Sequence, residues 1–191
     1  MKKLADIIRK VPIVSVTGNL NIPILEITFD SRKANPGTVF VAIRGTVNDG
    51  HQYIPDVVRN GVSAVICEEM PTSVRNEIAY IITSNSALAL GLICAEFYDN
   101  PSQNLTLVGV TGTNGKTTTA TLLYQLFRKM GYKAGLISTV AYYVDGQRSE
   151  ATHTTPDPLK LNQLMSQMVR QGCEYCFMEV SSHSVVQQRI A

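Results

Sequence analysis

The stretch Val108-Gly-Val-Thr-Gly-Thr-Asn-Gly-Lys-Thr-Thr118 decides the reading of this chain. It follows an apolar run over 105–110 and precedes apolar residues at helical spacing over 119–130. That order is strand, glycine loop, helix. Such a loop turns backbone N–H groups toward a polyphosphate, and the start of the helix adds its partial positive charge. Lys116 is the residue type that reaches the outer phosphates, and Thr117 offers a hydroxyl to Mg²⁺. The common pattern of such loops wants a glycine five positions before Gly115, where Val110 stands; Gly109 and Gly112 supply the flexibility instead. The plainer reading is a Gly/Thr-rich turn that only joins two elements.

The 191 residues allow one or two domains, and 45% hydrophobic content can fill a core. Net charge is +2 with both signs mixed along the chain, and there is no basic block or aromatic–basic stripe. That composition argues against nucleic acid as a partner. No apolar stretch reaches membrane-spanning length, and the start Met1-Lys-Lys leads into a run too short for a secretory signal. The expectation is a monomer in the cytoplasm, with no membrane partner. Cysteines stand at 67, 94, 173 and 176. Cys173-Glu-Tyr-Cys176 has the spacing of a metal or redox pair, but a zinc site wants a second pair and a redox pair prefers a helix N-terminus. Reduced core thiols are expected.

Residues 1–100 read as a small α/β domain. Helices are expected over 4–10, 51–60 and 86–98, the last with Ser86 as its cap, and strands over 24–29, 39–43, 62–67 and 80–83. Asp99-Asn-Pro-Ser-Gln-Asn104 breaks the pattern and marks a domain boundary. Residues 105–191 then alternate strand and helix, with strands over 133–137, 139–143 and 174–180, a turn at Asp145-Gly146 and a helix over 158–171. Alternation of this kind implies a mostly parallel, Rossmann-like sheet. About three or four strands make a small parallel sheet, which needs cover on both faces. The expectation is an incomplete central domain in an N-terminal fragment of a longer protein; a compact two-domain protein is the competing view.

Glu179 closes the apolar run Cys176-Phe-Met-Glu-Val180. A carboxylate at the carboxyl end of a parallel strand, downstream of a phosphate loop, suits a Mg²⁺ or water-positioning role, against the plainer reading of a strand-end acid facing solvent. Ser181-Ser-His-Ser184 follows it into the crevice where α/β folds bind ligands. No G-x-S-x-G elbow is present, so a serine hydrolase is not supported. His153-Thr-Thr-Pro-Asp157 reads equally as a helix-capping loop and as a pair of hydroxyls offered to a substrate. Phe29-Asp-Ser-Arg32 and Arg44-Gly-Thr-Val-Asn-Asp-Gly50 are polar turns after strands; Asp30 and Arg32 pair on a surface, or the turns frame a ligand.

Taken together, these strings resemble a known family. Gly112-Thr-Asn-Gly-Lys-Thr-Thr118 resembles the ATP loop of the Mur ligases and of folylpolyglutamate synthetases. Asp30-Ser-Arg, Pro36-Gly-Thr-Val-Phe-Val-Ala42 and Asp49-Gly-His narrow the likeness to Mur ligases. Thr154-Thr-Pro156 and Met178-Glu-Val-Ser-Ser-His183, with Gln187 and Arg189, resemble the branch that makes UDP-N-acetylmuramoyl-tripeptide. The resemblance covers nearly the whole chain. It implies an ATP-dependent ligase that joins a diamino acid to UDP-N-acetylmuramoyl-L-alanyl-D-glutamate through an acyl phosphate, in cell-wall synthesis. It further implies that residues 1–100 form a UDP-substrate-binding domain and that 105–191 belong to a P-loop ATPase domain.

Carried onto this sequence, the resemblance has Phe29, Ser31, Thr46, Val47 and Asn48 touch the uridine nucleotide. Gly112, Thr113, Asn114, Gly115, Lys116, Thr117 and Thr118 bind ATP. Thr117 and Glu179 serve Mg²⁺, with Lys116 and Glu179 catalytic. Thr154, Thr155, Ser181, Gln187 and Arg189 hold the UDP-muramoyl-dipeptide; His153 stands where relatives often carry Asn. The family's carbamylated lysine, its metal-binding histidine and its amino-acid-selecting domain have no counterpart in 1–191, so this chain by itself is expected not to ligate. A nucleotide switch, the reading from another class, lacks the Asn-Lys-x-Asp string it would need. A non-catalytic module binding a UDP ligand is the third reading.

Overall fold

The computed structural model describes residues 1–45, 48–151 and 153–190, which cluster into two compact units, Met1–Phe97 and Tyr98–Ala191. In the first unit the elements run β1 (Lys2–Lys3), α1 (Leu4–Ile7), β2 (Ile13–Thr17), β3 (Pro23–Ile24), β4 (Glu26–Thr28), β5 (Thr38–Val41), α2 (Ile54–Arg59), β6 (Ala64–Cys67), β7 (Ala79–Thr83) and α3 (Ser86–Phe97). The main sheet has the order β2-β7-β6-β5-β4; β4 to β7 are parallel and β2 is antiparallel on the outer side of β7. Strands β5, β6 and β7 read TVFV, AVIC and AYIIT and are buried throughout, as strands covered on both faces must be. Ile54, Val57 and Val58 of α2 join one core with Phe40, Val65 and Tyr80. On α1 and α3, which pack together, Leu4, Ile7, Leu90 and Ile93 are buried.

The differences from the sequence pattern have local causes. Strand β2 was not expected; all five of its residues are exposed, so no buried face writes an alternation into the sequence. Helix α1 stops at Ile7 because a turn closes from Val11 N–H to Ile8 C=O and Pro12 follows. The run over 51–60 begins as a 3₁₀ turn, Gly50–Tyr53, before α2. Ser86 does not cap α3. Asn85 does so, its Oδ1 accepting from Leu88 N–H at 2.9 Å, while the Ser86 hydroxyl donates to Glu68 Oε1 at 2.9 Å.

The second unit runs β8 (Thr106–Val110), α4 (Lys116–Lys129), β9 (Ala134–Ile137), β10 (Ala141–Val144), β11 (Gln147–Glu150), α5 (Pro158–Arg170), β12 (Tyr175–Glu179) and α6 (Ser182–Val186). Sheet order is β11-β10-β9-β12-β8, with β9, β12 and β8 parallel. Asp145 and Gly146 take φ of 45° and 87°, the two-residue turn that joins β10 to β11 with Val144 opposite Gln147. β11 reads Gln-Arg-Ser-Glu and is wholly exposed, which is why it carried no strand signal. Helix α4 covers one face through Ala120 and Tyr124 against Ala134, Leu136 and Phe177. Helix α5 covers the other through Leu161, Leu164, Met165 and Met168 against Ile137, Tyr142 and Met178. Asp157 caps α5 by accepting from Lys160 N–H at 2.9 Å, and Gly172, at φ 76°, ends it in the left-handed region.

Register brings three strand ends to one edge: Glu179 lies opposite Val110, and Met178 opposite Ile137. The glycine loop, Ser138-Thr139 and Val180-Ser181 therefore leave the sheet side by side, outside the carboxyl ends of parallel strands. Gly135 lets α5 approach closely, because a Cβ there would stand 2.3 Å from Met168 Sδ and 2.9 Å from its Cγ. Gly135→Ala should destabilise the second unit by about 1–3 kcal/mol in urea unfolding, since the added methyl would press on the fully buried Met168. Unchanged stability would show that the α5 face is loosely packed.

Candidate functional site

The glycine loop and the start of α4 form the first wall of the site. Residues 111–115 are exposed, and Gly115 holds φ 80° as the residue before the helix. No side chain caps α4 and no acidic residue sits in its first turn, so the helix presents its N–H groups and positive end uncompensated. Lys116 folds back along the loop, its Nζ donating to Gly112 C=O at 2.6 Å and lying 3.4 Å from Thr113 C=O. Thr113, Asn114 and Thr118 are exposed around it.

Glu179 forms the second wall. It is only 1% exposed, yet each carboxylate oxygen is engaged. Thr117 Oγ1 donates to Oε2 at 3.0 Å, Thr139 N–H donates to Oε1 at 2.8 Å, and Thr139 Oγ1 lies 3.2 Å from Oε2. The strand-end acid thus faces the loop helix rather than solvent. Thr139 is the residue that sequence reasoning missed. It leaves the carboxyl end of β9, which pairs with β12 rather than with the strand that carries the loop, so nothing in the sequence order set it beside Glu179.

Thr117 and Glu179 together offer hard oxygen donors about the start of α4. Among the described residues no group of three His, Cys, Asp or Glu side chains could hold a metal. Mg²⁺ beside a polyphosphate needs only one or two protein oxygens plus phosphate and water, so this pair fits that ion.

The loop after β11 lies against Thr139 and the backbone of Glu179. Thr154 Oγ1 is 3.0 Å from Thr139 Oγ1. Thr155 is buried, its hydroxyl donating to Glu179 C=O at 2.7 Å and accepting from Ser181 N–H at 3.2 Å. Arg189 Nη1 donates to Thr155 C=O at 2.8 Å and its Nε to Gln187 Oε1 at 2.8 Å. The Ser181 hydroxyl accepts from Ser184 N–H at 3.2 Å and caps the short α6. So Thr155 and Ser181 gather at the Glu179 backbone, Thr154 reaches Glu179 only through Thr139, and Arg189 joins Gln187 to Thr155, while Thr155 spends its hydroxyl inside the protein. His153 is exposed; its backbone is tied to the Tyr142 hydroxyl.

In the first unit Phe29 and Ser31 follow β4, and Asn48 belongs to the loop after the neighbouring β5. Thr46 and Val47 lie outside the described residues. Phe29 is 40% exposed, and Asn48 C=O closes its loop on Gly45 N–H at 2.9 Å. Asp30 and Arg32 do pair, at 2.7 and 2.8 Å, and the guanidinium hydrogen bond holds the Asp30 carboxyl down at about 2. Asp49 and Glu68 anchor His51: Glu68 N–H donates to Nε2 at 2.9 Å, so the ring proton sits on Nδ1 and donates to Asp49 Oδ1 at 2.6 Å. Burial pushes the Cys67 thiol up to about 11 and Cys176 up to about 12, the condition of unreactive core thiols.

Two family models match this chain: "Mur ligase family, catalytic domain" over residues 23–98 and "Mur ligase middle domain" over residues 110–191. The chain belongs to the Mur ligase family. It is 53% identical over 190 residues to a UDP-N-acetylmuramoyl-L-alanyl-D-glutamate–2,6-diaminopimelate ligase of Cytophaga hutchinsonii, covering 99% of this chain and 39% of that protein. The chain thus spans about two fifths of the length of the curated relative it matches. A solved structure of a ligase with the same reaction name superposes with a TM-score of 0.75 at 23% identity, over 99% of this chain and 38% of that one, and shows the fold. The MurF ligase of Thermotoga maritima, solved with ADP, is 27% identical with a TM-score of 0.54, over 81% of this chain and 31% of that one.

Two outcomes follow from these contacts. Thr155→Val should cost about 1–3 kcal/mol in thermal or urea unfolding, because it strands Ser181 N–H and Glu179 C=O, and Thr155→Ser should restore most of it. Equal stability of the valine variant would remove the hydroxyl's role. In NMR titration the Asp30 carboxyl should titrate at about 2 and return to the ordinary aspartate range in Arg32→Ala. Because the folded value is depressed, the pair stabilises above the unfolded pKa and its contribution fades as pH falls toward 2.

Proposed function

We propose that this chain supplies the substrate- and nucleotide-binding parts of an ATP-dependent amide ligase of peptidoglycan synthesis, one that adds a diamino acid to UDP-N-acetylmuramoyl-L-alanyl-D-glutamate. The observation that carries it is the contact between the buried Glu179 and Thr117 at the start of the loop helix. The printed name of the Cytophaga relative, at 53% identity, points to 2,6-diaminopimelate as the incoming amino acid. The ADP in the Thermotoga relative supports a nucleotide at the glycine loop.

On this reading residues 105–191 hold ATP: the amides of 112–118 cradle the phosphates, and Lys116 leaves its own loop carbonyls for the outer phosphate oxygens. Thr117 and Glu179 hold Mg²⁺, which supplies charge neutralisation during phosphoryl transfer. Thr154, Gln187 and Arg189 orient the glutamate end of the acceptor, with Thr155 and Ser181 shaping the loop around them. Residues 1–100 hold the uridine end through Phe29, Ser31 and the loop that includes Asn48.

The acceptor carboxylate attacks the γ-phosphorus of ATP, the bond to the bridging oxygen breaks and ADP leaves, and Lys116 offsets the negative charge that spreads over the phosphate oxygens. A free carboxylate is a poor acylating agent; the acyl phosphate carries a good leaving group. An amine then displaces phosphate and forms the amide. The reaction runs in the cytoplasm, in a monomer. The chain by itself binds nucleotide without ligating.

Calorimetry with ATP and Mg²⁺ tests this. Lys116→Ala should weaken binding by about tenfold or more, the loss of charge-assisted hydrogen bonds. A ligation assay with this chain alone should yield no UDP-tripeptide. Nucleotide affinity unmoved by Lys116→Ala would overturn the loop assignment.

A further inference from the structure

We propose that Thr139 couples the nucleotide side of the site to the acceptor side, as a positioning residue that acts through Glu179 and Thr154. This rests on the reading that Thr117 and Glu179 serve the nucleotide's magnesium and that Thr154 serves the acceptor. Thr139 reaches both Glu179 and Thr154 through one hydroxyl.

The geometry sets up a choice. Thr139 N–H holds Glu179 Oε1 at 2.8 Å, which fixes the threonine beside the carboxylate whatever its hydroxyl does. Thr139 Oγ1 then lies 3.2 Å from Glu179 Oε2 and 3.0 Å from Thr154 Oγ1. A hydroxyl carries a single proton, so it donates to one of these and accepts from the other. With Glu179 Oε2 open, the carboxylate is the stronger acceptor and takes the proton; Thr154 then donates to Thr139, and its own hydroxyl is turned inward. Thr117 Oγ1 shares the same oxygen at 3.0 Å. Were Thr117 and Glu179 to hold a divalent cation, the cation would draw electron density from the carboxylate and make it a poorer hydrogen-bond acceptor. The Thr139 proton turns to Thr154 Oγ1, and the Thr154 proton is freed to donate to the carboxylate of the acceptor. Nucleotide with metal thus prepares Thr154 for the acceptor, and by linkage the acceptor tightens nucleotide with metal by the same factor.

Only the hydroxyl is needed for this relay, so Thr139→Val removes it while keeping the shape and the N–H to Glu179. Thr139 is exposed, and the valine methyl meets no core. The experiment is calorimetry on this chain with a non-hydrolysable ATP analogue, with and without Mg²⁺, and with and without saturating UDP-N-acetylmuramoyl-L-alanyl-D-glutamate. In the parent chain the UDP ligand should tighten the analogue by about tenfold with Mg²⁺ and leave it unchanged without. Thr139→Val should bind the analogue alone as the parent does but show less than about twofold coupling, and Thr139→Ser should regain it. Parent-like coupling in the valine variant overturns the proposal, as does a valine variant that loses analogue affinity itself, which marks a merely structural role. Absence of coupling in the parent overturns it too. A parent chain that binds no analogue at all overturns the functional reading on which the proposal stands, a result distinct from the others.

Discussion

A carboxylate removed from water must find donors, and Glu179 finds them on elements far apart in sequence: the Thr117 hydroxyl at the start of α4 and the Thr139 amide and hydroxyl after β9. That requirement ties the ends of β8, β9 and β12 into one rim. It also fixes Glu179 C=O, which the buried Thr155 hydroxyl meets from the loop after β11. The rim at the carboxyl ends of these strands is thus organised around one acid. The hydrophobic layers beneath it, with α4 on one face and α5 on the other, hold the three strands in the register that the carboxylate needs.

The candidate site was legible where chemistry constrains several neighbours at once. The glycine loop announces itself because strand, loop, lysine and helix must follow in order, and Glu179 because an acid closing an apolar strand is costly unless it has work there. The loop of Thr154 and Thr155 was visible but ambiguous, and the structure divides its two hydroxyls: Thr154 faces Thr139, while Thr155 is sealed under Glu179 and Ser181. Thr139 was illegible because a single threonine after a four-residue strand has no pattern of its own. Its meaning comes from lying beside β12 in space, which sequence order conceals by inserting a hairpin and α5 between them.

The fold shows the same division. The buried parallel strands β5, β6 and β7 were readable as apolar runs, and the helices by spacing and by the caps around α5. β2 and β11 escaped because they are edge strands held by ladder hydrogen bonds rather than by burial: β11 is wholly polar, and the apolar residues of β2 stand exposed rather than alternating with a buried face. The cap of α3 shifted by one residue, from Ser86 to Asn85, because Glu68 on a neighbouring strand end claims the Ser86 hydroxyl, a tertiary contact that local rules cannot see.

The central claim is that Glu179 and Thr117 hold one Mg²⁺ against the phosphates in the loop. The most direct measurement is the affinity of this chain for ATP with and without Mg²⁺, in the parent and in Glu179→Gln. The parent should tighten by about tenfold or more when Mg²⁺ is supplied, and Glu179→Gln, which keeps the shape but loses the charge, should gain less than about twofold. A glutamine variant that gains as much from Mg²⁺ as the parent would contradict the account.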